Sequence, residues 1–361
     1  MTVAPNPGIL DIAPYKGGEA VLPGFSKVIK LASNENPLGA SPAAVAAYQA
    51  AGEKLHLYPD GAAAGLRAAI GARYGLDPAR IVCGAGSDEL FQLLARAYLK
   101  PGDAIVQTEF GFLIYALAAK AAGADVIVAK DKDHRVDIDA VLAAVTPQTK
   151  MVFIANPNNP TGTYVPIADI ARLHAGLPAS TLLVIDAAYA EYMRATDYEA
   201  GVALAGAAAN VLMTRTFSKI HGLAALRIGW AYGPADVIDV LNRVRGPFNV
   251  AAPAQAAAAA AIADTAFADD SVAHNARELA RFQDAMTALG FRFTPSVANF
   301  CLVHLDQDGA HTAEACDAFL RSQGIIARRV TAYGLPHAIR VSIGSTAENA
   351  AVIAAFAAFK G

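Results

Sequence analysis

From residue 80 onward the sequence alternates strand-sized apolar runs with helix-length segments, and this alternation narrows the fold more than any other feature. The runs are Ile81-Val82-Cys83, Ala104-Ile105-Val106, Asp125-Val126-Ile127-Val128, Lys150-Met151-Val152-Phe153-Ile154-Ala155, Thr181-Leu182-Leu183-Val184-Ile185, Asn210-Val211-Leu212-Met213-Thr214 and Ile228-Gly229-Trp230-Ala231-Tyr232. Most are apolar throughout rather than at every second residue. Strands covered on both faces read this way, and helices between them supply the crossovers of a parallel sheet. The expectation is an α/β protein with a large, mostly parallel sheet flanked by helices.

A chain of 361 residues is too long for one simple core, so a second, smaller domain is expected. Residues 1–30 are rich in Pro and Gly, lack periodicity, and read as an arm lying over the body. Residues 31–250 form the large domain on this reading, and residues 251–361 a smaller α+β domain. An alanine-rich stretch over residues 253–285 reads as one long connecting helix. Beyond it, strands are expected over 299–304, 324–329 and 338–344, with a helix over 312–323. Earlier in the chain, Ser41 followed by Pro42 marks a helix start.

The residues at the strand exits carry the chemistry. Asn159, Asp186 and Lys219 each follow the C-terminal end of an expected strand. Ligands of open α/β sheets collect in the crevice at those ends. Lys219 lies in Thr216-Phe217-Ser218-Lys219, with Arg227 eight residues on. A lysine of lowered pKa is a nucleophile, and hydroxyls beside a guanidinium suit a phosphate. Together they point to pyridoxal phosphate (PLP), held by a lysine and anchored by its phosphate. Taken singly, Ser218-Lys219 also fits a surface turn, and Asp186 a turn cap.

Gly84-Ala85-Gly86-Ser87-Asp88-Glu89 opens a helix whose first amides suit an anion. It equally suits an ordinary helix start, with Ser87 as N-cap. Arg340 falls in the apolar run Ala338-Ile339-Arg340-Val341. A buried arginine needs a partner: a bidentate anion or an internal carboxylate.

Composition excludes several classes. The net charge of -3 gives no reason to expect nucleic acid. No run is long and apolar enough to span a membrane and no signal peptide is read; Cys83, Cys301 and Cys316, odd in number and far apart, lead to the expectation of a reducing cytoplasm. Three cysteines, far apart, argue against a disulfide framework, and the eight histidines show no metal-binding spacing.

The series Asn156-Pro157-Asn158-Asn159-Pro160-Thr161-Gly162, Asp186-Ala187-Ala188-Tyr189, then Ser218-Lys219 with Arg227, resembles the signature of fold-type I PLP-dependent aminotransferases. Within that family the chain is most similar to the histidinol-phosphate aminotransferases. The pieces that carry this are Pro14-Tyr15, Leu31-Ala32-Ser33-Asn34-Glu35-Asn36-Pro37-Leu38-Gly39, Tyr58-Pro59-Asp60 and Gly86-Ser87-Asp88-Glu89. The resemblance implies that Lys219 forms the Schiff base and moves protons at the substrate Cα. Asp186 would pair with the pyridine nitrogen, and Asn159 and Tyr189 with the phenolic oxygen. Ala85 and Gly86 would offer amides to the phosphate, with Ser87, Thr216, Ser218 and Arg227 around it. Phe110 would stack on the ring. Tyr58 would reach the cofactor of a second subunit, which implies a homodimer with shared sites. Arg340 and Arg328, with Asn34 and Tyr15, would hold and cover the substrate, Arg329 competing with Arg328.

The implied reaction is amino transfer from histidinol phosphate to 2-oxoglutarate. An aromatic or broad-range amino-acid aminotransferase is the first alternative. A threonine-phosphate decarboxylase, which releases carbon dioxide and needs no oxo acid, is the second. A PLP-binding regulatory module is the third, disfavoured because no basic recognition helix is read.

Overall fold

The computed structural model describes residues 3, 5, 8–12, 14 and 17–361. The chain runs from β1 (Ile29–Lys30) through α1 (Pro42–Ala51) and α2 (Ala64–Tyr74) into the large sheet. There β2 (Ile81–Gly84), α3 (Ser87–Tyr98), β3 (Ala104–Thr108), α4 (Leu113–Ala121), β4 (Asp125–Ala129), α5 (Ile138–Ala143), β5 (Thr149–Ala155), α6 (Ile167–Gly176), β6 (Leu182–Asp186), α7 (Val202–Ala207), β7 (Val211–Thr216), β8 (Gly229–Tyr232) and α8 (Ala235–Val244) follow in turn. Then come α9 (Ala252–Ala263), α10 (Thr265–Ala288), β9 (Arg292–Thr294), β10 (Phe300–His304), α11 (Ala313–Ser322), β11 (Ile325–Ile326), β12 (Arg328–Val330), β13 (Leu335–Ser342) and α12 (Thr346–Lys360).

The seven-stranded sheet has the order β2-β8-β7-β6-β5-β3-β4. β8 runs antiparallel to both β2 and β7; the remaining pairs are parallel. Every residue of β6 and β7 is buried, which is why those runs are apolar without alternation. The edge strand β4 instead exposes Asp125 and Val128. Core side chains such as Val152, Ile154, Leu183 and Leu212 are fully buried, each worth roughly 1.5–3 kcal/mol. One face of the sheet carries α3, α4 and α8, whose Leu90, Phe91, Tyr115 and Leu241 pack on Phe153 and Leu212. The other face is covered by α2, α6 and α9.

The second sheet is four-stranded and antiparallel, ordered β12-β13-β10-β9. It packs with α10, α11 and α12 around Phe282, Phe356 and Leu320. α12 starts at a capping box, Ser345 and Glu348 each satisfying the other's backbone amide.

Several features differ from the sequence reading, among them the strand expected over 324–329, which is split into β11 and β12 in separate sheets. The alanine-rich stretch is two helices, broken at Asp264, whose carboxylate accepts the amide of Phe267 at 3.1 Å and starts α10. Ala254, Ala257, Ala258 and Ile262 of α9 belong to the core of the large sheet, so the contacts of that sheet extend past residue 250. β1, in turn, pairs in parallel with β11 of the small domain, and Leu31 packs in that domain's core.

Candidate functional site

The strands β5, β6 and β7 are parallel neighbours, so their C-terminal ends open on the same side. A cavity of about 250 Å³ lies there. Its wall includes Asn159 from the loop after β5, Asp186 at the end of β6, and Thr216, Ser218 and Lys219 after β7. From outside the sheet come Asn34, Ser87, Phe112, Arg227, Arg328, Tyr333 and Arg340. The strand-exit residues are thus brought together by the topology alone.

The turn carrying Lys219 is pinned at Gly222. A Cβ on Gly222 would lie 1.9 Å from the carbonyl oxygen of Gly39, and its φ is 67°. No other residue permits that approach. Lys219 Nζ donates to the carbonyl oxygen of Ser33 at 3.0 Å, on the segment that leads from the small domain into α1. Burial first, then the charge of Arg340, pull its pKa down to about 8. An amine so placed sheds its proton near neutral pH.

Asp186 is buried and faces the cavity. Its Oδ2 accepts from Tyr115 Oη at 2.6 Å and its Oδ1 from Thr214 Oγ1 at 3.3 Å. Burial, with the nearby Asp88, pushes its carboxyl up to about 6, while the two hydroxyls pull it down. Across the cavity Asn34, at φ 56°, donates from Nδ2 to Tyr189 Oη at 2.9 Å. Ser342 locks that side: its hydroxyl donates to Asn34 Oδ1 at 2.9 Å and accepts the Asn34 amide at 2.8 Å. Burial holds the Tyr189 hydroxyl above its ordinary pKa.

Arg340 is 6% exposed. Its guanidinium donates to Asn159 Oδ1 and, at 2.8 Å, to the carbonyl oxygen of Ala32. Both acceptors are neutral; its Nε has no partner among the described residues, and no carboxylate there pairs with it. The internal carboxylate considered from sequence is not what Arg340 meets. A buried cation without a counter-charge is costly, so the cavity beside it suits an anion. Arg328 stands directly opposite Arg340 across the β12–β13 pair and also lines the cavity, donating to the carbonyl oxygen of Gly17 at 3.1 Å. Arg329 leans away, 4.0 Å from Glu314 on α11.

The opposite end of the cavity is built for a second anion. Thr216 Oγ1 accepts the amide of Ser218 at 3.1 Å, and Arg227 Nη1 reaches Ser218 Oγ at 3.4 Å. Arg227 adopts φ 50°, uncommon outside glycine, and donates to the carbonyl oxygen of Ala224 at 3.0 Å. Its Nη2 also lies 3.4 Å from Asp88. Gly86 leaves room for it: a Cβ there would sit 2.6 Å from Arg227 Nη2.

Several expected residues sit differently. Gly86, not Ser87, is the N-cap of α3. The amide of Ala85 donates to Glu89 Oε2 at 2.6 Å and that of Gly86 to the carbonyl oxygen of Gly84 at 2.8 Å, so both already have partners. Ser87 and Asp88, whose first-turn amides have no intrahelical acceptor, are the residues of α3 that line the cavity. Phe110 is not in that wall. It packs toward Tyr333 and Leu335 and lies 5.4 Å from His134, while Phe112, two residues on, lines the cavity. Tyr58 lies outside its own cavity, 83% exposed and stacked on Phe248 at 4.6 Å. Tyr15 falls outside the described residues. Sequence reasoning offered Phe112 only as a wall of an aromatic pocket and Glu89 only as a first-turn acid, and it did not single out Tyr115 or Ser342, which carry no local signal beyond their residue type.

No helix among the described residues is long and apolar enough to cross a membrane, and no cluster of three His, Cys, Asp or Glu there could hold a metal.

Comparison with known proteins gives three findings. The family model "Aminotransferase class I and II" matches residues 26–356. The histidinol-phosphate aminotransferases of Rhodopseudomonas palustris (strain BisA53) and Maricaulis maris (strain MCS10) are 52% and 54% identical, covering 98% and 99% of both chains. The crystal structure of histidinol-phosphate aminotransferase from Sinorhizobium meliloti in complex with pyridoxal-5'-phosphate superposes with a TM-score of 0.89. It shares 27% identity and covers 98% of this chain and 97% of that one.

Proposed function

The chain belongs to the class I and II aminotransferases, and on that premise we propose that it is a PLP-dependent enzyme that moves an amino group from histidinol phosphate to 2-oxoglutarate. The products are imidazole-acetol phosphate and glutamate. The observation that carries this reading is Arg340: a buried guanidinium without a carboxylate partner among the described residues, in the same cavity as a lysine whose pKa is lowered to about 8.

The residues fit the cofactor. Thr216, Ser218, Arg227 and the first-turn amides of Ser87 and Asp88 would hold its phosphate. Asp186 would face the ring nitrogen, Asn159 and Tyr189 the phenolic oxygen, and Phe112 a ring face. PLP supplies an aldehyde that condenses with amines and a ring that draws electrons from the amine-bearing carbon.

The protein's own part is proton handling and positioning. Lys219, largely neutral above pH 8, would take the proton from the donor's Cα and deliver it to the cofactor carbon that keeps the amino group, and would carry a proton the opposite way when the oxo acid accepts the amine. Asp186 keeps a negative charge beside the ring nitrogen. Arg340 and Arg328 bind the substrate's anionic end. Histidinol phosphate has no α-carboxylate, so the same pair meets a phosphate in one half-reaction and a carboxylate in the other. A guanidinium fork suits both. Asn34 orients Tyr189 through the 2.9 Å bond.

We also propose a homodimer in which Tyr58 serves the partner's site. The support is the number of exposed apolar side chains on and after α1, Val45, Tyr48, Leu55, Leu57 and Tyr58, with Tyr58 stacked on the exposed Phe248.

The test is a single half-reaction on the PLP form without any oxo acid. Histidinol phosphate, phenylalanine and phosphothreonine are added separately, and the cofactor's visible absorbance and released carbon dioxide are followed. Conversion to the amine form should be rapid with histidinol phosphate and much slower with phenylalanine. Faster reaction with phenylalanine would make the chain an aromatic aminotransferase. Carbon dioxide from phosphothreonine would make it a decarboxylase.

A further inference from the structure

Both oxygens of Asp186 are already engaged by the protein. Tyr115 Oη donates to Oδ2 at 2.6 Å, a short and strong contact for a neutral donor on a carboxylate. Thr214 Oγ1 reaches Oδ1 at 3.3 Å, a weaker one. Tyr115 belongs to α4, not to any strand exit, and lies 1% exposed. Its ring is clamped: Phe153 stacks on it at 4.7 Å and 14°, while Phe91 and Phe112 meet it edge-on at 5.0 and 5.8 Å. Rings packed on three sides leave the hydroxyl one direction, toward Asp186. Phe112 also lines the cavity, so the clamp is continuous with the wall of the site.

The surroundings otherwise work against a charge on Asp186. Burial and the carboxylate of Asp88, at the start of α3, both push its pKa up, to about 6. The hydroxyl of Tyr189 faces the same space and is itself held protonated by burial. Tyr115, Thr214 and the backbone at Ala188 pull in the other direction, and Tyr115 pulls hardest of these.

We propose that Tyr115 is a positioning residue for amino transfer: its hydroxyl fixes the orientation of the Asp186 carboxylate and keeps it available as an anion for the cofactor's ring nitrogen. The inference rests on the reading that this cavity binds PLP. Tyr115 touches neither cofactor nor substrate and acts through Asp186 alone. Removing its hydroxyl leaves Asp186 neutral over a wider pH range and weakens the ion pair with the ring nitrogen.

The test compares two cofactors on one protein. The full-length apoenzyme, wild type and Tyr115→Phe, is titrated with PLP and with 1-deaza-PLP, whose ring carries C–H in place of nitrogen. Phenylalanine keeps the stacked ring, so the fold should survive. A general structural loss would weaken both cofactors alike and cancel in the ratio of the two affinities. We expect Tyr115→Phe to lower the preference for PLP over 1-deaza-PLP about tenfold, the scale of one hydrogen bond to a charged group. The pH below which that preference disappears should also move upward. An unchanged ratio and an unchanged pH profile would overturn the inference, leaving Tyr115 a packing residue. Failure of the wild-type chain to bind either compound would overturn it together with the reading on which it rests.

Discussion

At the scale of single residues, the site is a balance of unlike environments within one cavity. Lys219 and Arg340 are both cationic groups drawn out of water, and their mutual repulsion favours the neutral amine. Exchange of Arg340 for a neutral residue should therefore raise the lysine's pKa from its value of about 8. Loading of PLP onto the apoenzyme needs the neutral amine, and its rate should climb with pH through that value. In Arg340→Gln the climb should occur at higher pH, and loading at pH 7 should slow roughly threefold to tenfold. Stopped-flow absorbance across pH 6 to about 10 reads it directly. An unshifted midpoint would mean that burial alone sets the amine. The same variant should weaken both the phosphate donor and the oxo-acid acceptor, since one fork serves both. What the sequence displayed at this scale was the set of residues at strand exits: Asn159, Asp186, Lys219. It did not display Tyr115, because a tyrosine inside an apolar helix looks like core until the sheet is assembled beneath it. It did not separate Phe110 from Phe112 either. Both are aromatic and lie around one turn, and only the tertiary path decides which ring faces the cavity.

At the scale of elements, the start of α3 shows how a loop is shaped before any ligand meets it. Glu89 turns back from the first turn, and its Oε2 accepts the amide of Ala85 at 2.6 Å and Asn249 Nδ2 at 2.8 Å. Asn249 in turn donates to the carbonyl oxygen of Cys83 at 3.2 Å, tying the end of β2 to the chain between α8 and α9. An acid in the first turn of a helix favours its dipole, yet here it also folds the loop that presents Ser87 and Asp88. The glycine-rich stretch was legible as a helix entry; the amides it leaves free were not, because Glu89 claims one of those expected. The break at Asp264 was hidden for a related reason. Alanine fits either helix equally well, so the run shows no period to interrupt, and only a capping carboxylate within it marks the end. Glu89→Ala should leave the Ala85 amide and Asn249 unpaired and cost about 1–3 kcal/mol of stability. It should also weaken PLP binding through the phosphate, while leaving the pH midpoint of Lys219 loading where it was. Thermal unfolding of the apoenzyme and a PLP titration measure the two effects. A variant with normal affinity would remove Glu89 from the phosphate loop's support.

At the scale of the whole molecule, the cavity sits where the large sheet, the small domain and the segment after β1 converge, and its walls come from one chain. The proposed dimer would add Tyr58 to them. Tyr58 is 83% exposed, its ring rests on Phe248, and Leu55, Leu57 and Tyr48, close by in the sequence, are exposed as well. A monomer gains nothing by exposing these side chains, whereas a two-fold dimer would bury them and carry each Tyr58 toward the other subunit's site. Two single variants distinguish this arrangement from a Tyr58 that serves its own chain. Lys219→Ala removes the amine; Tyr58→Phe keeps the stacked ring and removes only the hydroxyl, weakening PLP binding by about tenfold. Each homodimer should then be impaired at limiting PLP. Co-expression with two different tags allows the mixed dimer to be isolated. If Tyr58 acts across the interface, one site of that dimer carries both defects and the other carries neither. It should bind PLP with wild-type affinity at one site and retain about half the wild-type activity per dimer. If Tyr58 acts within its own chain, every site of the mixed dimer has one defect, and wild-type affinity appears at none. That second outcome, or the absence of any mixed dimer to isolate, would refute the shared site.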